Sequence, residues 1–308
     1  MLLSLASHIS AQTASAPQQN PVLQITAALK HGNVKQALDL CAASLKDRPN
    51  NPTLWTLQGL ALAHSQHPAE ALASYGHALK FAPDYLPALE GAAQLRYQSG
   101  DPRAIPLLRQ ILASGGESTT THGMLAVLEY KQKQCTAALA DFKLGTAAIN
   151  TNPDALDEYG FCLVEQKQYS DAVPILQQAL SVKPGSSGAR FNVALAQFLD
   201  HQNKPALDTL QPLLASTAPP DDVLSLAADI SEALENIPAT VAILRRAIVQ
   251  QPTNVDNYLR FATLSSRYSS YRAGIAMLDA GIARLPPQLH SSSPAASSTA
   301  NSTSTTRL

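Results

Sequence analysis

The sequence predicts an all-α fold: a solenoid of about eight helical hairpins in single file. Three observations carry this. First, alanine and leucine dominate an apolar fraction of 45%, while aromatics supply only 5% and charged residues 15%. That mix suits helices meeting through small side chains. Second, small residues recur in one phase: Ala37, Ala71, Ala104, Ala138, Ala172, Ala206, Thr240 and Gly274, in steps of 34 with a single 33. Third, Pro49, Pro83, Pro184, Pro252 and Pro286 keep the same period. A fixed period of this size is the signature of a repeat architecture.

Two further ladders share the phase. One runs Ile25, Gly59, Ala93, Ala126, Gly160, Ala194, Ala228 and Ala262; the other Ser44, Ala78, Ile111, Gly145, Ala179, Leu213, Ala247 and Gly281. Small residues midway along one helix and early in the next let the two approach closely. The last ladder is expected to admit the first helix of the following unit. Proline cannot continue a helix and ends each unit.

The units follow in order. Residues 18–51 carry Ile25 where the others are small, which suits a cap. Residues 52–85 and 86–118 come next, the latter one residue short just after Asp101. Then come 119–152, 153–186 and 187–220, followed by 221–254, with Thr240 in place of alanine, and 255–288. Turn residues part the two helices of a unit, as in His31-Gly32-Asn33, Gln66-His67-Pro68, Ser99-Gly100-Asp101-Pro102 and Asn236-Ile237-Pro238. One hairpin cannot bury its own faces, so stability comes from stacking neighbours.

Asn51-Pro-Thr-Leu-Trp55-Thr-Leu-Gln-Gly59, followed by Ala71, Tyr75, Ala78 and Pro83, resembles a tetratricopeptide repeat. So does 153–186, with Tyr159-Gly160, Ala172, Ala179 and Pro184. The resemblance implies a continuous right-handed superhelix whose first helices line a concave groove, and a scaffold that binds other proteins.

The ends differ from the array. Met1 to Ile9 is apolar, and Ala11 and Ala14-Ser15-Ala16 are small residues suited to a signal-peptidase cut, though no basic residue precedes them. Residues 1–17 therefore read as the back half of a signal peptide, or as a frayed N-terminus. The first reading places the chain in the periplasm or on the cell surface, the second in the cytoplasm. Residues 289–308 are rich in serine and threonine and are expected to form a disordered tail.

Little in the chain suggests chemistry. A formal net charge of −1 argues against a nucleic-acid partner, and no apolar run is long enough for a membrane span. Cys41, Cys135 and Cys162 make no disulfide framework and no CxxC pair. Cys41 falls where a buried apolar residue belongs. Cys135 and Cys162 sit on successive helices that antiparallel packing brings near each other, which leaves their pairing open. His64 and His67 flank a turn without companion ligands. No phosphate loop, GxSxG or HExxH occurs. The expectation is a non-enzyme without cofactor or metal.

The resemblance then directs attention to the first helices. Their groove side offers Glu90, Gln94 and Tyr97; Val127, Tyr130 and Lys131; Asp154, Asp157, Phe161 and Glu165; Phe191, Leu195 and Phe198; Asp222, Ser225, Asp229 and Glu232; and Thr263 and Arg267. Tyr97, Tyr130, Phe161, Phe191 and Phe198 are the candidate aromatic anchors. Asp154, Asp157, Glu165, Asp229 and Glu232 form an acidic rim, which favours a peptide or protein carrying lysine or arginine. Tyr97, Tyr130 and Phe198 share one repeat position, so packing between neighbouring first helices is the competing reading. A lysine–asparagine–arginine carboxylate clamp, known in some tetratricopeptide proteins, is missing: the matching places carry Thr56, Leu60, Glu90 and Asp157. The rival function is an accessory or regulatory subunit of an envelope enzyme or assembly machine, acting through cations such as Arg245, Arg246 and Arg272.

Overall fold

A computed structural model describes residues 20–116, 118–268 and 271–284. Among the described residues the chain forms sixteen α-helices and no strand. The readings of 1–17 and 289–308 lie outside the described residues. The helices fall into two compact units that divide between Gln166 and Lys167, inside the segment 153–186.

Unit 1 holds α1 (Pro21–Lys30), α2 (Val34–Asp47), α3 (Pro52–His64), α4 (Pro68–Phe81), α5 (Leu86–Gln98), α6 (Ala104–Ala113), α7 (Thr119–Lys131), α8 (Cys135–Ile149) and α9 (Pro153–Glu165). Unit 2 holds α10 (Tyr169–Val182), α11 (Ser187–Leu199), α12 (Asn203–Leu214), α13 (Asp221–Ala233), α14 (Ile237–Gln250), α15 (Val255–Tyr268) and α16 (Tyr271–Ile282). Within each unit, helices adjacent in sequence pack on each other.

The starts follow from capping. Asn51 Oδ1 accepts from the amides of Thr53 and Leu54 at 3.0 and 3.2 Å, ahead of a first-turn proline. Asn152 and Ser186 cap α9 and α11 in the same way, at 3.2 and 3.1 Å. The ends of the first helices follow a device the sequence hides. A residue in the left-handed region recurs at Gly32, Gln66, Gly100 and Lys133 in unit 1, and at Lys167, His201 and Glu235 in unit 2. The next amide usually turns back to the helix, as His67 N to the Leu62 carbonyl at 2.9 Å and Gln202 N to the Gln197 carbonyl at 2.8 Å. This is the Schellman closure.

The missing residue of 86–118 falls between Gly100 and Ala104. The second helix here starts at Ala104, four residues after the left-handed residue, whereas elsewhere it starts two after. Asp101 fills the gap. It accepts from the Arg103 amide at 2.9 Å and from the Arg96 guanidinium at 2.5 Å, and the Arg103 contacts hold its carboxyl well below the usual range.

Close approach explains the small residues, with one correction. A Cβ at Gly145 would lie 2.4 Å from the Gly123 nitrogen, and one at Gly281 2.8 Å from the Tyr258 ring. These members of the last ladder therefore admit the first helix of their own hairpin, not that of the following one. Leu108, Leu128, Leu210 and Ile230 are fully buried, and each such side chain contributes about 1.5–3 kcal/mol. One charge is buried with them: Glu129, 1% exposed, meets Arg109 at 2.9 Å, and burial pushes its carboxyl up against that pairing.

Candidate functional site

In unit 1, α7 and α9 bring the expected residues together. Tyr130 meets Phe161 edge to face, with ring centroids 6.0 Å apart. Phe161 is 53% exposed, unusual for a ring that size and contrary to a packing role. The pair borders a cavity of about 380 Å³ with Lys131, Lys133, Cys135 and Glu165. Tyr97 is half-buried against the Leu89–Leu108–Leu128 core, as the packing reading expects.

The carboxylates lie on α9. Asp154 and Glu165 are exposed and Asp157 half-buried. The sequence reading missed a fourth, Glu158. It is half-buried, and its Oε2 lies out of solvent with no hydrogen-bond partner. Burial pushes its carboxyl up to about 7, Lys131 opposing and Asp154 adding to the rise. Its charge reaches Tyr97 and Tyr130, whose hydroxyls are raised first by their own burial and then by Glu158. Among the described residues Asp154, Glu158 and Glu165 form no salt bridge. A carboxylate next to Asp157 on a polar turn gave no sequence signal of its burial.

Cys135 and Cys162 are joined by a disulfide, with Cα atoms 5.1 Å apart. The bond ties the first residue of α8 to the last turn of α9, next to Phe161. Phe142 of α8 stacks on Tyr159 of α9 at 5.0 Å, so the wall behind the aromatic pair is held twice. Cys41 remains a free, buried thiol, pushed up to about 11 by burial.

A larger cavity, about 580 Å³, opens between α3, α5 and α7, where the carboxylate clamp is missing. Leu57, Leu60 and Met124 form apolar walls, and Glu90 and Gln94 lie on its border. Tyr75 enters from α4. It is 2% exposed, and its ring is wedged between Gly59 and Gly91, where added Cβ atoms would approach to 2.7 and 2.4 Å. Burial pushes its hydroxyl up to about 12, which keeps it a hydrogen-bond donor. Gly91 is the signal that could have found this cavity.

Unit 2 treats the same pattern differently. Phe191 and Phe198 are half-buried against the Ala194–Leu210–Val223–Ile230 core. Asp229 is paired with Arg260, and Glu232 with Arg267 at 2.5 Å. Burial still raises Asp229, with Arg260 opposing. The acidic rim expected here is thus answered by the unit's own arginines. Arg245 lies over the Phe261 ring at 5.8 Å, and Arg246 donates to the carbonyls of Leu214 at 2.8 Å and of Ser216.

Two family models, each described as tetratricopeptide repeat, match residues 22–85 and 163–230. Their repeats are the hairpins just described. The chain is a tetratricopeptide repeat (TPR) protein. Solved structures agree in fold. Naa15/Naa10 bound to HypK-THB is 16% identical with a TM-score of 0.52, over 85% of this chain and 42% of that one. YrrB, a TPR protein with an unusual peptide-binding site, is 18% identical with a TM-score of 0.49, over 64% and 96%. A TPR protein from Parabacteroides merdae is 16% identical with a TM-score of 0.45, over 85% and 97%. No curated protein sequence matches. TPR arrays are protein–protein interaction scaffolds, and the fold is generally non-enzymatic. Among the described residues no helix is long and apolar enough to cross a membrane, and no group of three or more histidine, cysteine or acidic side chains could hold a metal.

Proposed function

We propose that unit 1 of this TPR protein holds a protein segment carrying lysine or arginine against α7 and α9. The observation that carries the reading is the exposed Phe161 beside Tyr130, with Asp154, Glu158 and Glu165 on the same helix and, among the described residues, none of the three in a salt bridge. An aromatic anchor contributes most where water is excluded around it. A lysine or arginine placed next to Glu158 would return that carboxylate to its charged form. The cavity beneath Tyr75 extends the same face towards α3 and receives an apolar side chain.

Binding to an array of ten-residue peptides tests this. The intact protein should prefer sequences with a basic residue near an apolar one. Phe161→Ala should lower that binding by about tenfold or more, and Glu158→Gln should erase the preference for lysine and arginine. Equal binding to acidic and basic peptides, or full retention in both variants, overturns the reading.

We infer also that the chain works outside the cytoplasm. The Cys135–Cys162 bond supports this, since such bonds persist in oxidising compartments. Thiol labelling immediately on cell lysis should modify Cys41 alone, after unfolding; labelling of all three cysteines counts against export. Of Arg245, Arg246 and Arg272, which the accessory-subunit reading would use, the first two are engaged within unit 2 and Arg272 stands exposed.

A further inference from the structure

The last described helix of unit 2 carries an apolar stripe that no described helix covers. Tyr271, Ile275, Leu278 and Ile282 follow each other at steps of four, three and four, which places them on one face of α16. Tyr271 is 78% exposed, Ile275 58% and Ile282 51%. A different side of the helix holds it to its own hairpin. There Gly274 backs onto the Ala262 carbonyl and Gly281 onto the Tyr258 ring.

The repeat register says what such a stripe does. Thirty-four residues earlier, Val241, Leu244 and Ile248 occupy the same places on α14. There, Leu244 and Ile248 are buried and Val241 is partly so, packed with Tyr258, Phe261 and Leu264 of α15. Ile275, Leu278 and Ile282 thus repeat a surface whose use inside the array is to receive a helix.

The charges beside the stripe select the occupant. Arg272 and Asp279 are both exposed, seven residues apart, on the same flank. If two copies of α16 lie antiparallel, Ile275 faces Leu278 of the second copy, and Tyr271 faces Ile282 of the second copy. Arg272 of each then lies opposite Asp279 of the other, twice over by symmetry. The stripe is therefore complementary to itself in shape and in charge, as an isologous contact requires. We propose that α16 is a homodimer interface, packed antiparallel on α16 of a second copy. Two helices of this length bury less than the roughly 1,600 Å² of a standard interface, so the dimer is weak, with a Kd on the order of micromolar. The proposal rests on unit 2 alone and is independent of the peptide site in unit 1.

Sedimentation of the full chain from about 1 to 200 µM tests it, in the range a micromolar Kd requires. The wild type should pass from monomer to dimer. Ile275→Asp should remain monomeric throughout, with unchanged helical circular dichroism because the position is exposed. Arg272→Asp alone and Asp279→Arg alone should each weaken dimerisation by about tenfold, and the two together should restore it. That restoration distinguishes a self-complementary antiparallel pair from general stickiness. A wild type that stays monomeric at every concentration overturns the proposal and leaves the stripe to the 285–308 tail or to another protein. A dimer that survives Ile275→Asp, or a double charge variant that fails to recover, overturns it as well.

Discussion

Units 1 and 2 are built from the same 34-residue hairpin, and both put carboxylates on first helices. They part in what answers those charges. In unit 2, Arg260 lies 31 residues after Asp229, and Arg267 lies 35 after Glu232, so the cations arrive from the neighbouring first helix. In unit 1, Asp154, Glu158 and Glu165 meet no cation within salt-bridge distance. A stacked array sets residues about one period apart side by side. A groove charge is therefore neutralised where a cation on the neighbouring first helix comes within reach, as Arg260 and Arg267 do. Unit 1 leaves Asp154, Glu158 and Glu165 out of any salt bridge among the described residues and ties α8 to α9 beside them; unit 2 pairs Asp229 and Glu232 and packs its rings.

The stiffening gives the largest expected effect. Only unit 1 carries a disulfide, closing a segment with a sequence separation of 27. Replacing both Cys135 and Cys162 with alanine should cost about 3–4 kcal/mol on the loop-entropy scale. Denaturant titration reads the total. Hydrogen exchange locates it: protection should fall across α8 and α9 and hold across α13 to α15. Equal loss in unit 2 would break the contrast drawn above.

The next effect is in binding. Glu158 is raised by burial to about 7, so at pH 6 it is mostly protonated and at pH 8 mostly charged. A bound lysine favours the charged form and lowers that value. Affinity for a lysine-bearing peptide should therefore climb as pH rises through 7, by about tenfold between pH 6 and 8, and level off above. Glu158→Gln should flatten the profile. Stability runs the opposite way: the folded state holds this proton more tightly than the unfolded chain, so its contribution is greatest at low pH and declines as pH rises towards 7. A profile that falls with rising pH would mean the partner is not cationic.

Unit 2 offers the reverse experiment. Removing Arg260 and Arg267 together should expose Asp229 and Glu232 and give unit 2 an affinity for basic peptides that it lacks. The stability cost is expected to be modest, about 1 kcal/mol per pair, because both pairs are partly exposed. A peptide crosslinked to α13 in the double variant but not in the wild type would sharpen the comparison. No gain would mean that Phe161, not open charge, makes the site.

The sequence made the hairpins legible because close approach demands small residues, and Ala126, Ala138 and Gly145 advertise it at a fixed period. It made the groove residues legible as a set but not their availability. Nothing in the identities of Asp229 or Glu158 tells that one meets an arginine and the other is buried with an oxygen unpartnered. The pairing of Cys135 with Cys162 was equally open in one dimension, since it depends on how far α8 and α9 are rotated about their axes. Tyr75 was read as a family marker. Its place beneath a cavity depends on Gly59 and Gly91 admitting the ring from both sides.

The smallest effect concerns the turns. Each described first helix from α1 to α13 ends on a residue with positive φ, and glycine holds that place only at Gly32 and Gly100, both in unit 1. Unit 2 uses Lys167, His201 and Glu235, with φ of 59°, 61° and 57°. A side chain in this region costs about 1–2 kcal/mol, while glycine gives back some 0.5–1 kcal/mol in unfolded-chain entropy. His201→Gly and Glu235→Gly should therefore each stabilise by a few tenths to about 1 kcal/mol, whereas Gly100→Ala in unit 1 should destabilise by a similar amount. Denaturation midpoints with unchanged slope would register both. Unit 2 then has more to gain, because all three of its turns carry the strain and only two of the four in unit 1 do. A loss of stability in His201→Gly would show that the imidazole repays its backbone cost through a contact of its own.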